Sequence, residues 1–311
     1  MELNIISLVT AADIRKAAEI VRSDGLVVFP TETVYGLGAN ALSAVAVRKI
    51  YQLKGRPANS PLIVHVASVA QAREFAAEWP AEAEQLAQDY WPGPLTIVVS
   101  KKSIVPDEVT AGLQTVGLRI PRHPIALELL RTTGLPIAAP SANRFTQLSP
   151  TTAAHVREAF GDQTPFLLDG GECEVGIEST VIAVSKDGLQ VLRPGMAVVK
   201  DAITPIDDES QQAHRAPGQH KKHYSPKTRV LLVTAGRLPQ EGRGAYLSLT
   251  GESSESFITQ RMPANAGDYA KCLYKVLHEL DCENLDWVAI EMPPITREWA
   301  AIRDRLTRAA Y

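Results

Sequence analysis

Cysteine is scarce, with three in 311 residues (Cys173, Cys272 and Cys282) and no CxxC pair. That excludes a disulfide framework and a thiolate zinc site, and it fits a reducing compartment. Long apolar runs are also missing: none approaches the roughly 18 residues that a membrane span requires. The N-terminal stretch, with Glu2 and no apolar core before Asp13, lacks the profile of a secretory signal, so the chain reads as cytoplasmic with no membrane partner. Charge of one sign is absent as well. Lys and Arg total 32 against 35 Asp and Glu, a net charge of −3, which argues against bulk electrostatic attraction to nucleic acid. Any basic site must therefore be local. What remains is an ordinary soluble composition, 45% apolar, long enough to bury one or two cores without staples.

The first two hundred residues alternate short apolar runs with helical periods. Residues 26–29, 95–99, 116–120, 136–139, 166–168 and 180–184 read as strands. Ile14, Ala17, Ala18 and Val21 recur at helical spacing. Ser149 and Pro150 predict an N-cap and a first-turn proline for a helix over the next ten residues. Strands mixed with helices imply an α/β or α+β layer. From residue 204 the texture turns polar and acidic, then basic and histidine-rich up to residue 229, as in a linker. Beyond it, residues 230–233, 245–249 and 287–292 read as strands, and 268–280 and 298–309 as helices. The expected division is a first domain over 1–203, a linker over 204–229 and a small α/β domain over 230–311.

Polar side chains gather where strands end. PTETVYGLG begins at Pro30 and places Thr31 and Thr33 before glycines that permit close backbone approach, although an ordinary glycine turn reads equally well. Lys54 and Arg56 lie two apart. In an extended segment they would share a face, a point charge beside a two-pronged donor, as a polyphosphate demands. A solvated Lys/Arg pair is the bland reading. His65 interrupts an apolar run, either as a satisfied core residue or as a ligand contact. Ser141 and Asn143, at spacing two, offer a hydroxyl and an amide, or simple turn chemistry. Arg119 sits inside an apolar strand, where it needs either a salt bridge or an anionic ligand. Ser179 in GIESTV and Arg193 in LRPG repeat the theme. No Ser/His/Asp triad or P-loop occurs, and His214, His220 and His223 lack a nearby carboxylate or thiolate for a metal. This inventory suits the binding and alignment of anions better than a covalent intermediate.

The ordered set PTETVYGLG, KGRP, SPLIVHV, TVGLRIP, APSAN, LSPTT, GIESTV and LRPG resembles the L-threonylcarbamoyladenylate synthase family, built on the YrdC-like domain. The HYSP stretch at 223–226 and the closing AIRDRLTRAA at 301–310 are similar to its longer, two-domain form. The resemblance implies a YrdC-like twisted mixed sheet with helices, linked to a smaller Rossmann-like α/β domain. It also implies a nucleotidyltransferase: L-threonine, bicarbonate and ATP with Mg2+ would give threonylcarbamoyl-AMP and pyrophosphate. A separate transferase would then use the adenylate to modify tRNA, so contact with tRNA would be weak or indirect.

Carried over by motif, Thr33, His65, Arg119, Ala139 and Ser179 would surround threonine. Lys54, Arg56, Ser60, Thr115, Ser141, Asn143, Ser149, Arg193 and Tyr224 would hold ATP, with Lys54 and Arg56 acting on the phosphates and no protein-bound metal. Tyr224 would reach back from the linker, making the linker a lid. The loop after SAN departs from the family pattern, with Arg144 and Phe145 in place of small residues. The competing reading is a YrdC-like module that binds tRNA or double-stranded RNA without catalysis.

Overall fold

The hydrophobic periods become elements wherever a stop signal follows them. Thr10 caps α1 (Ala11–Arg22) in a reciprocal capping box with Asp13. Next come β1 (Val27–Phe29), β2 (Gly36–Asn40), α2 (Ala44–Lys54), β3 (Ile63–His65), α3 (Val69–Phe75) and α4 (Ala81–Tyr90). β4 (Leu95–Ser100), α5 (Asp107–Thr110), β5 (Thr115–Arg119), α6 (Pro124–Thr133) and β6 (Ile137–Ala138) continue the chain. They lead to α7 (Ala153–Phe160), β7 (Phe166–Leu167), β8 (Thr180–Ser185) and β9 (Gly188–Arg193). The C-terminal part holds β10 (Arg229–Val233), β11 (Gly244–Ser248), β12 (Ile258–Arg261), α8 (Ala266–Asp281), β13 (Trp287–Glu291) and α9 (Ala300–Ala309). This computed structural model describes residues 9–203, 223–234, 238–239, 241–251 and 257–311. Most of the expected lid, including His214 and His220, lies outside the described residues. Among those described, no helix is long and apolar enough to cross a membrane.

Two sheets result. The larger is mixed and nine-stranded, in the order β7-β1-β2-β6-β3-β5-β4-β8-β9, and the smaller is parallel, in the order β10-β13-β11-β12. Alternation along β1 feeds two cores on opposite faces of the large sheet: Val28 packs with Leu37, Val64 and Leu118, while Val27 and Phe29 pack under α1 and α6. A third core joins the two sheets. Val34, Leu148 and Ile177 from the first pack with Tyr269, Leu273, Tyr274, Ile302 and Leu306 from α8 and α9. At this seam Gly176, at φ +81°, lies so close to α8 that a Cβ would stand 2.4 Å from the Ala270 carbonyl oxygen.

Three local expectations change. The helix expected from Ser149 starts at Ala153 with Thr152 as its cap, because the Ser149 hydroxyl donates to Glu178 and the Pro150 carbonyl accepts from Tyr35. The glycines after Pro30 do not form a turn into a helix; residues 36–40 are strand β2, paired antiparallel with β1. Lys54 and Arg56 are not in an extended segment. Lys54 ends α2, and Gly55, at φ +64°, turns the chain through a left-handed cap. The two side chains therefore leave in different directions.

Candidate active site

Register brings the polar strand ends together. β3 and β5 run parallel with His65 opposite Arg119, the Ala139 amide donates to the Ile63 carbonyl, and Ser141 bridges to Gly36. Thr31 holds the turn before β2: its hydroxyl lies 2.8 Å from that of Thr33 and donates to the Val34 carbonyl. The Arg119 Nη2 donates to Glu32 Oε1 at 2.8 Å and to Thr33 Oγ1 at 3.0 Å, while Nε donates to the Gly93 carbonyl at 3.2 Å. The buried arginine thus has a salt bridge within the fold, and its Nη1 carries no hydrogen bond to any described residue. Burial opposes ionisation of Glu32, but the adjacent Arg119 outweighs it and holds the carboxyl below its usual range. Burial, reinforced by Arg119, pushes His65 down to about 3, so its imidazole is neutral.

The turn at Gly55 gives Lys54 and Arg56 separate tasks. The Lys54 ammonium is buried and donates to the carbonyls of Ser141, at 2.7 Å, and Asn143. It props the loop that presents Ser141. Burial, with Arg56 and Arg144 adding to it, holds the ammonium well below lysine's ordinary value. Arg56 donates to the Ser60 hydroxyl and the Pro61 carbonyl, and its guanidinium carbon lies 6.0 Å from the Phe145 ring centroid. The bulky loop after Asn143 is stitched to α2: the Phe145 amide donates to the Lys54 carbonyl, and Arg144 to that of Leu53. The Asn143 amide donates inward, to the Arg144 and Gln147 carbonyls, so it shapes the loop it belongs to.

On the opposite wall, Arg193 donates through Nε and Nη2 to the Ser179 carbonyl, at 3.1 and 2.9 Å, and through Nη2 to its hydroxyl at 3.1 Å. Glu178 is buried beside them and accepts from Ser149, Tyr274 and Arg305. Burial alone would raise its pKa, but Arg305 and Arg193 overcome this and keep it ionised. Tyr224 enters from the C-terminal side at φ +58°, with His223 beside it.

These walls line an open-mouthed cavity of about 520 Å³, a volume that includes space open to solvent. Thr33, His65, Arg119, Ala139 and Ser179, the whole expected threonine set, line it together with Arg56, Ser141, Arg193 and Tyr224. Lys54, Ser60, Asn143 and Ser149 do not line it; Lys54, Ser60 and Ser149 stand behind its walls bonded to Ser141, Arg56 and Glu178, which do, while Asn143 braces its own loop. Thr115 does not line the cavity either; it lines a separate one of about 300 Å³, with Ile63 bordering both. Sequence reasoning missed Glu32, Glu178, His223 and Arg305. Glu32 and Glu178 lie within quoted motifs, and a carboxylate among apolar and small residues is a signal for a buried partner. Arg305 carries no comparable local signal, because the cavity residue it pairs with, Glu178, is 127 positions away.

The arrangement offers three guanidinium groups, hydroxyls and a neutral imidazole to an anionic guest. A family model of the Sua5/YciO/YrdC group, described as "Telomere recombination", matches residues 19–195. A second, "Threonylcarbamoyl-AMP synthase, C-terminal domain", matches residues 183–311. The threonylcarbamoyl-AMP synthase of Pyrococcus abyssi is 38% identical, covering 99% of this chain and 97% of that protein. That of Bacillus subtilis is 37% identical over 96% of this chain and 92% of its own length. The crystal structure of P. abyssi Sua5 complexed with L-threonine superposes with a TM-score of 0.87 at 36% identity, covering 96% of this chain and 94% of that one. With sequence and architecture matched from end to end, the chain belongs to the threonylcarbamoyl-AMP synthase family in its two-domain form.

Proposed function

We propose that this protein is a nucleotidyltransferase of the cytoplasm that makes threonylcarbamoyl-AMP and pyrophosphate from L-threonine, bicarbonate and ATP. The observation that carries the reading is the convergence of all five threonine-set residues, Arg119 among them, and two further arginines on one cavity. Threonine's amine and bicarbonate condense to a carbamate with loss of water. A carbamate oxygen then attacks the α-phosphorus of ATP, and the bond to the β-phosphate oxygen breaks, releasing pyrophosphate. Both reactants are anions, so the rate depends on neutralising and aligning them.

Arg119, steadied by Glu32, presents its remaining edge to the threonine carboxylate. The Thr33 and Ser179 hydroxyls and the neutral His65 orient the amino acid without adding positive charge. Arg56 and Arg193 face the phosphates, and Lys54 keeps the Ser141 loop in place beneath them. Mg2+ would arrive on the triphosphate and complete its neutralisation, since both oxygens of Glu178 are already engaged by protein donors. The adenylate would pass to a separate enzyme that modifies tRNA.

The test is direct. Purified protein is incubated with ATP, bicarbonate, Mg2+ and labelled threonine, and pyrophosphate and the labelled adenylate are followed. Pyrophosphate release that requires threonine is expected. Its absence, or salt-sensitive RNA binding as the only activity, would overturn the reading in favour of a binding module.

A further inference from the structure

We infer that Arg305, in the C-terminal helix α9, is a positioning residue for the reaction, holding Tyr224 in the cavity and fixing Glu178 behind it. This rests on the proposed function for its kinetic consequence, but not for the anchoring itself. Arg305 lies outside every motif of the first domain, yet its side chain is fully buried. Its Nε donates to Glu178 Oε2 at 2.8 Å, and its Nη1 donates to Asp304 at 2.7 Å. The guanidinium carbon stands 5.0 Å from the Tyr224 ring centroid, in cation–π range.

Tyr224 needs such an anchor. Its positive φ is unfavourable for a residue with a side chain. Its phenol oxygen is buried and carries no hydrogen bond to any described residue. The ring is therefore held by its faces: Arg305 on one contact and Tyr274 of α8, stacked at 6.0 Å, on another. Backbone bonds on either side of Tyr224 tie down both ends. The His223 amide donates to the Arg308 carbonyl of α9, and the Ser225 amide donates to the Thr146 carbonyl beside the SAN loop. Glu178 closes the circuit, since it borders the cavity and accepts from Ser149, Tyr274 and Arg305 together. One arginine of the C-terminal domain thus touches two residues of the cavity wall. The C-terminal domain acts as a clamp on the site.

Two measurements separate anchoring from catalysis. The first is hydrogen exchange at the amides of residues 223–225 without ligands, in the full chain and in Arg305→Met. Loss of the clamp should speed exchange there by about tenfold or more while the β3–β5 amides stay protected. Because Arg305→Met leaves Glu178 charged and unpaired, the double variant Glu178→Gln/Arg305→Met is measured beside it. Unchanged exchange at 223–225 in both, with each folded, overturns the anchoring.

The second is a cycle with Tyr224→Ala, read as kcat and KM for ATP. Arg305→Met should lower kcat/KM by about tenfold in the wild-type background, and by less than about twofold once Tyr224 is gone. Arg305→Lys, which keeps the charge over the ring, should recover part of the loss. An equal loss in both backgrounds would mean that Arg305 does not act through Tyr224, and would overturn that kinetic role. A wild-type protein without threonine-dependent pyrophosphate release overturns the proposed function and the kinetic role with it. The exchange result then still decides the anchoring.

Discussion

Glu32 and Arg119 form an ion pair of 2.8 Å in which the two side chains are 1% and 4% exposed. Glu32 also accepts from the Arg122 amide at 3.0 Å, so it is fixed at both oxygens before a ligand arrives. Glu32→Gln should leave the arginine buried and undercompensated, with a stability loss of roughly 3–5 kcal/mol. The functional signature is selective: KM for threonine should rise by about tenfold or more, while KM for ATP moves little. Equal shifts in both constants would show that Glu32 supports the fold and not Arg119 in particular.

Gly55 separates the tasks of Lys54 and Arg56. No atom lies within 4 Å of the place a Cβ would occupy, so Gly55→Ala carries a conformational penalty and no steric one. Chemical denaturation should show a loss of about 1 kcal/mol from the left-handed cap. A fall in adenylate formation beyond that accounted for by unfolded protein would report displacement of the two cations.

Lys54 should behave as a support for the Ser141 loop. Lys54→Met removes the donor to the Ser141 and Asn143 carbonyls and leaves buried acceptors unpaired. A loss of about 1–3 kcal/mol per unpaired group is expected in thermal melting, together with a lower kcat. If melting is unchanged while activity falls, the ammonium acts on substrate and not on the loop.

Gly176 sets the distance between the two parts of the chain. In Gly176→Ala the new methyl would meet backbone of α8, with the Ala270 oxygen at 2.4 Å and the Lys271 Cα at 2.5 Å. Backbone cannot step aside as a side-chain tip can, and φ is +81°. Melting temperature should fall by several degrees, for a cost of roughly 2 kcal/mol or more. Amides of residues 266–271 should exchange faster.

Acid should weaken the same seam. His155 of α7 and His278 of α8 stack at 3.9 Å across it. Burial, with the neighbouring His278 adding to it, lowers His155 to about 4, and burial lowers His278 as well. Between the ordinary value of 6.5 and about 4, the unfolded chain therefore binds more protons than the folded one. The stabilisation is fully present above that ordinary value and is lost as pH falls through the window. Melting temperatures measured from pH 7.5 down to 4.5 should decline, and His155→Phe should flatten the decline.

Local sequence was enough for the strands, since β4, β5 and β8 need only an apolar run between breakers. It was also enough to recognise the motif set, and with it a cavity of hydroxyls and guanidinium groups at strand ends. β2 escaped because GLGAN carries none of the β-branched or aromatic residues that mark a strand; its strand character comes from pairing with β1 and β6. The direction of the Lys54 side chain escaped because one left-handed glycine decides it.

Composition and motif order by themselves determined the compartment reading, the family resemblance and the threonine-set residues, because each depends on residue types in short segments. Only tertiary structure decided which polar groups face the cavity and which stand behind it. Charge burial is a property of what lies across the fold: Glu32 meets Arg119 from 87 positions away, and Glu178 meets Arg305 from 127. No spacing along the chain encodes such a pair; the cost of leaving either member alone in the interior favours keeping both together, and in Glu178–Arg305 that ties the two domains at the site.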